Sequence, residues 1–363
     1  MFARMNELSN SFILNLVMIV LTVCSVFAEK NSSENMKLGS KMKFEGVLDI
    51  GLGYNESGYT LFNDNNNVWQ SAYEKQIEVE LDLEVDITGK ITAEIDIEGE
   101  YARPGPKLQK GFVCFDLPEK QKLRIGNMKR RLGMEERSGR SERLAPGRSI
   151  LHDYLSTFGF MGYNPAFEYQ KKYILNENRS IKTWAQLGGN GDLKIFGELA
   201  SDMSIGNLTC GGGVFYMQHF ISRRENTLIV WLNTSWSGGR SRFEIELHAG
   251  KDPLASYYAQ QLDSKPDICF SGTRLEAARS FVTGNKVLHT IQPILRIAEV
   301  TPDIKSPEEA DVEFTPALSL FIGSSGRVRW KSGVSVLCTA GRPNNHVFHV
   351  KEYQVNTLLQ VIW

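Results

Sequence analysis

Residues 77–87 read IEVELDLEVDI: Ile77, Val79, Leu81, Leu83, Val85 and Ile87 are apolar, and Glu78, Glu80, Asp82, Glu84 and Asp86 between them are acidic. A helix would spread these carboxylates all round its axis. A strand puts them on one face and the β-branched residues on the other. Thr88-Gly89-Lys90 then marks a turn. After it Ile91, Ala93, Ile95 and Ile97 alternate with Thr92, Glu94, Asp96 and Glu98. The result is a hairpin with one apolar and one ionised face. On the surface of a soluble sandwich such a hairpin would show its charges to water. The remainder of the chain argues for a different setting.

Period-two alternation recurs along the whole sequence. It predicts sixteen segments: 40–54, 68–87, 91–103, 111–117, 120–128, 164–175, 180–187, 193–200, 207–219, 227–237, 241–249, 271–281, 286–298, 314–322, 327–339 and 350–363. Every second connection is short and carries Gly, Asn or Pro, as tight turns require. The others are generally longer, and the longest spans 129–163. An even strand count with turns at one end and loops at the other is the pattern of an all-β transmembrane antiparallel barrel of about 16 strands. On this reading the barrel occupies 40–363.

Phe12 to Ala28, FILNLVMIVLTVCSVFA, follows Arg4, and Val26-Phe27-Ala28 presents small residues at the −3 and −1 positions of a cut after Ala28. Residues 1–28 therefore read as a signal peptide and 29–39 as a short segment ahead of the barrel. Beyond it no apolar run approaches the length of a spanning helix, which excludes a polytopic helical protein. Lys+Arg is 41 and Asp+Glu 42, a net charge of −1 that argues against a nucleic-acid binder. Cys114, Cys210, Cys269 and Cys338 are far apart and form no zinc or redox spacing. No H-E-x-x-H, P-loop, G-x-S-x-G or EF-hand motif is present, and the six histidines are scattered. The chain therefore reads as a non-enzyme with no cofactor and no metal.

The final segment, YQVNTLLQVIW, ends on Trp363, with Val361, Leu359, Val355 and Tyr353 on the same face. An aromatic last residue on an alternating strand resembles the signal read by the outer-membrane barrel assembly machinery.

Residues 123–148, LRIGNMKRRLGMEERSGRSERLAPGR, resemble the phosphate-selective porin O/P family of Gram-negative outer membranes. The elements that carry the resemblance are Leu123-Arg124-Ile125-Gly126, Lys129, Gly133-Met134-Glu135-Glu136 and Ala145-Pro146-Gly147-Arg148. Lys43 to Tyr54, with Asp49, is similar to that family's first strand. The usual Arg-Arg-x-Arg entry to the second strand is replaced by Tyr73-Glu74-Lys75, and the loop lacks Phe-Met-Glu-Arg. The resemblance implies an outer-membrane porin, a homotrimer, and a third long loop folded into the lumen.

Charges on the lipid face cost about 2–4 kcal/mol near the midplane, so the ionised faces belong in the lumen. Glu78, Glu80, Asp82, Glu84, Asp86, Glu94, Asp96 and Glu98 then form an acidic wall, with Lys122 and Arg124 on the strand 120–128 and Arg327, Arg329 and Lys331 near the other end. Loop 129–163 carries Lys129, Arg130, Arg131, Arg137, Arg140, Arg143 and Arg148. Guanidinium is suited to paired contacts with phosphate or carboxylate. The loop is thus a candidate pore constriction for small anionic solutes. Its alternative is a solvated external loop bridged to lipopolysaccharide phosphates. Two other functions stay open, a plugged structural or adhesive barrel and an outer-membrane hydrolase.

Overall fold

The computed structural model describes residues 42–60, 67–87, 89–100, 106–189, 195–220, 224–252, 256, 268–306, 310–339 and 349–363. The expected signal peptide 1–28 and the segment 29–39 lie outside them. So do the side chains of His346 and His349.

Sixteen antiparallel strands follow one another in sequence order. They are β1 (Met42–Thr60), β2 (Asn67–Asp86), β3 (Ile91–Glu100), β4 (Lys107–Leu117), β5 (Gln121–Lys129), β6 (Tyr163–Asn176), β7 (Arg179–Gly189) and β8 (Ile195–Ile205). Then come β9 (Leu208–Phe220), β10 (Arg224–Gly238), β11 (Ser241–Lys251), β12 (Cys269–Arg279, continued past Ser280 by Phe281–Val282), β13 (Leu288–Thr301), β14 (Asp311–Ile322), β15 (Val328–Thr339) and β16 (His349–Ile362). Each pairs with the next, and β1 pairs with both β2 and β16, from Val47↔Ile362 to Ser57↔Glu352, so the sheet closes into a barrel. Closure removes the unpaired edges that a bilayer would not tolerate. Connections at one end are tight turns such as 177–178, 206–207 and 239–240, and the other end holds the long ones, 130–162, 252–268 and 340–348.

Side-chain exposure follows the alternation. On β6 Phe167, 60% exposed, points outward while Glu168 and Gln170 are buried. On β8 Leu199, 67% exposed, lies between the inward Glu198 and Ala200. On β10 Leu228, Val230 and Leu232 face out. The outside is an apolar belt and the charged faces of β2 and β3 point inward, as the alternation predicts.

At the seam the backbones of Gly46 and Trp363 exchange two hydrogen bonds, at 3.1 and 3.2 Å, and the Trp363 ring lies over Gly46, where a Cβ would collide with it. Gly126 has a φ of +143°, and a Cβ there would meet Gly111 O and come within 2.6 Å of Phe112 Cα. This explains the glycine of the Leu-Arg-Ile-Gly motif. Gly126→Ala should lower unfolding stability by about 1–3 kcal/mol. The check is a urea titration of the detergent-refolded barrel.

The four cysteines among the described residues form no disulfide; Cys114 is buried and Cys269 exposed.

Candidate pore constriction

Loop 130–162 turns into the lumen and carries two helices, α1 (Met134–Arg137) and α2 (Ile150–Thr157). Apolar contact holds it there. Leu132, Leu151, Leu155 and Phe160 are fully buried against Trp184, Phe196, Phe215, Met217, Ile229, Trp231 and Phe270. Each such side chain is worth about 1.5–3 kcal/mol of burial. The partners point inward from β7 to β10 and β12. Around Phe215, Met217, Ile229 and Trp231 the strands β9 and β10 are apolar on both faces, and the loop fills the lumen against them.

Polar anchoring adds to this. Gly133, with φ +78°, precedes α1, and the Glu246 carboxylate accepts hydrogen bonds from Met134 N at 2.9 Å and Glu135 N at 3.3 Å. A Cβ on Gly133 would strike that carboxylate. Glu135 accepts from Ser149 N and Oγ, and Glu136 accepts from Gly162 N at 2.8 Å and meets His152 Nε2 at 2.9 Å. Arg296 donates to Gly147 O and Arg148 O, and Arg274 bridges Glu244, Glu246 and Glu276. The Gly-Met-Glu-Glu and Ala-Pro-Gly-Arg motifs are therefore the fastenings of the loop.

Burial alone would raise the Glu135 carboxyl, but Arg274, Arg296, His152 and the Ser149 hydroxyl hold it down at about 2. Burial is likewise outweighed at Glu136 by Lys129, His152 and Arg148, again to about 2. Burial would lower the His152 pKa, but hydrogen bonds to Asp153 and Glu136 raise it. The signs follow by linkage. The carboxylates stabilise docking fully above about 4.5 and lose this as pH falls towards about 2. The imidazolium contributes fully below 6.5 and is lost as pH rises through its raised value. Docking should be tightest between these limits. Limited proteolysis of the loop at a series of pH values should give least cleavage there, rising most steeply on the acid side.

Beside β1 to β5 and β16 the loop leaves two adjoining chambers, the first the outer and the second the inner. One, of about 900 Å³, is lined by Asp49, Glu78, Glu100, Lys129, Arg143, Arg148 and Asn356 among others, and the second, of about 380 Å³, by Glu45, Asp82, Glu94, Asp96, Lys110 and Arg131. Glu80, Lys129, Gly139, Arg140 and Tyr163 line both, so the neck is built from these five.

At the neck Arg140 is ion-paired to Glu78, Glu80 and Glu98. Burial and the neighbouring Arg143 bring its guanidinium down to about 10, which leaves it cationic at neutral pH. Arg131 holds Glu168 through two contacts at 2.8 and 3.1 Å, and Arg137 holds Asp202 at 2.5 Å beside Trp184 and Trp231. Arg148 pairs with Glu136 at 3.4 Å. No carboxylate of the described residues lies at ion-pair distance from Lys129 or Arg143; the Lys129 ammonium sits 5.6 Å from the centre of the Tyr163 ring. These two, with Arg148 and the exposed Lys75, are cations that the first chamber presents without full neutralisation.

Several expected site residues lie elsewhere. Arg130 is buried over the Phe196 and Phe215 rings and donates to Gly159 O, so it belongs to the loop's apolar anchor and not to the passage. Arg327 lies exposed in the turn before β15, because that strand begins only at Val328. Asp86 accepts from Gly89 N across its own turn, Glu84 is exposed near that end of the barrel, and Lys122 pairs with Asp116 there. Arg124 faces inward and pairs with Glu168. Arg329 and Lys331 donate to Ser141 O and Arg143 O, and thereby hold the loop from below. Lys110, which the sequence reading passed over, bridges Asp82 at 2.9 Å and Glu94.

No protein-family model matches the chain, and no curated protein matches it. Solved structures do. The anion-selective porin from Comamonas acidovorans is 11% identical with a TM-score of 0.56, over 89% of this chain and 100% of that one. OmpF of Salmonella typhi, in complex with daunomycin, is 9% identical with a TM-score of 0.59, over 91% and 100%. The fold is that of the outer-membrane porins. The trimer form of OmpT from Vibrio cholerae is 9% identical with a TM-score of 0.57, over 89% and 99%. Identities this low speak for the porin fold alone.

Proposed function

We propose that this porin-fold barrel is an outer-membrane channel for small solutes, with its selective step at the neck beside Arg140. The observation that carries the reading is the pair of chambers joined through Glu80, Lys129, Gly139, Arg140 and Tyr163. The apolar belt sets the barrel in lipid, with the tight turns on the periplasmic side and the long loops, near lipopolysaccharide, outside. Export through a signal peptide cut after Ala28, insertion by the assembly machinery through the strand ending in Trp363, and a trimeric state complete the reading.

Within it, the anion preference and the kinship to phosphate-selective porins rest on Lys129, Arg143 and Arg148 in the outer chamber. Arg131, Arg137 and Arg140 contribute less, because carboxylates already neutralise them. A charge-assisted hydrogen bond is worth about 1.5–3 kcal/mol. Lys129→Ala with Arg143→Ala should therefore weaken phosphate block of chloride current by about tenfold or more. Arg137→Ala should change it little. Single-channel recording in KCl with added phosphate decides this. Equal block in all three proteins would remove the anion site from this chamber.

One observation favours a second reading, a plugged barrel: the loop packs against apolar lumenal faces from β7 to β12 and closes that side. Conductance separates the two.

A further inference from the structure

The inner chamber mixes both signs, with Lys110, Arg124, Arg131 and Arg137 in its lining, and its acidic wall is the paired strands β2 and β3. Strands β2 and β3 face each other with carboxylate against carboxylate on four rungs: Glu78↔Glu100, Glu80↔Glu98, Asp82↔Asp96 and Glu84↔Glu94. Like charges directly opposite one another destabilise a strand pair. A fold that keeps such rungs needs cations or protons on them, and the described residues supply two cations. Arg140 takes Glu78, Glu80 and Glu98, and the Lys110 ammonium takes Asp82 and Glu94. On the Asp82↔Asp96 rung Lys110 meets Asp82 alone, and Asp96 has no ion-pair partner among the described residues. Asp96 is 2% exposed, its Oδ1 has no hydrogen-bond partner, and Asp82 Oδ1 has none either. Both residues line the inner chamber of about 380 Å³.

We propose that this rung is the centre of a binding site for linear aliphatic amines carrying two or more ammonium groups. Rungs on one strand are about 6.8 Å apart, two residues of rise. Ammonium groups separated by a few methylenes match that step. Lys110 already shows how an ammonium is held here, between carboxylates of two rungs. A single metal ion fits less well, since no described group brings three or more carboxylate, histidine or cysteine ligands together at metal spacing. The site opens towards the tight-turn end, because Glu45, Val47 and Ile362 line the same chamber. The proposal goes beyond the channel reading and stands apart from it, since binding needs only access from that end.

The test is a calorimetric titration of the refolded, detergent-solubilised full barrel with spermidine at low ionic strength. Asp96→Asn and Asp82→Asn are compared with Glu119→Gln, a carboxylate in an exposed turn. Saturable binding is expected in the wild type and in Glu119→Gln, weakened about tenfold by either Asn variant. Heat-modifiable mobility on electrophoresis confirms that each variant is folded, and the paired variants guard against one of them misfolding. The same titration with MgCl2 should give no saturable heat. Equal spermidine affinity in all four proteins, or Mg²⁺ bound as tightly as spermidine, would overturn the proposal. Binding without current in a bilayer would uphold it while refuting the channel reading, so the two fail separately.

Discussion

Excising residues 133–160 and bridging the gap with a short Gly-Ser linker is expected to raise single-channel conductance several-fold. The loop crosses the lumen and contacts strands on both sides: Arg137 reaches Asp202 on β8, Ile150 N reaches Glu313 on β14, and Arg140 reaches β2 and β3. Its removal converts a two-chamber passage with a five-residue neck into one wide lumen. The barrel itself should persist, because every strand pairs with two neighbours without help from the loop. A point variant gives an independent check. Leu155→Asp places a carboxylate in the fully buried contact between loop and barrel, where an unpaired polar group costs about 2–7 kcal/mol. It should release the loop and move conductance in the same direction. Unchanged conductance in both variants would mean that the loop does not limit flow.

The second large effect contrasts neighbouring residues. Leu81→Arg should destabilise the barrel by about 2–4 kcal/mol, while Asp82→Arg should fold and alter only conduction. Leu81 pairs with Ile97 on the lipid-facing side near the middle of the β2–β3 ladder, and Asp82 pairs with Asp96 inside. A guanidinium at 81 would sit in hydrocarbon. At 82 it would stand among Glu45, Glu80, Glu94 and Asp96, in place of the carboxylate that pairs with Lys110. The two sites share a depth, so the comparison reads facing. Urea midpoints of the refolded proteins measure it, and equal losses would show that the faces are assigned wrongly.

The strands and their facing were legible because one face of every segment meets lipid, and that demand writes a period of two into the sequence. The stretch 77–98 states it most plainly, with eight carboxylates on one side. The inward path of the loop was foreshadowed by its Gly-Met-Glu-Glu and Ala-Pro-Gly-Arg motifs, whose residues prove to be its fastenings. Less legible was the apolar half of the lumen. Leu228 to Leu232, LIVWL, is a continuous apolar run, the mark of a strand buried on both faces. Such a run in a barrel announces that something apolar fills the lumen, and Leu151, Leu155 and Phe160 fill it. Alternation also leaves pairing unresolved. The cationic residues of the loop look equivalent in sequence, yet Arg130 lies over aromatic rings and Arg140 is claimed by three glutamates, while Lys129 and Arg143 find no carboxylate among the described residues. Those differences depend on which strand the loop reaches, and that is fixed by tertiary contacts tens of residues apart. Arg327 was misplaced for a smaller reason, the start of β15 one residue later than the charge pattern implied.

The most direct measurement is planar-bilayer recording of the purified, refolded full-length barrel in KCl, beside the loop-excised protein. A channel narrowed at Arg140 gives discrete conducting steps from the intact protein and larger steps after excision. Silence from the intact protein, with steps only after excision, would mean that the loop is a plug and the barrel is closed at rest.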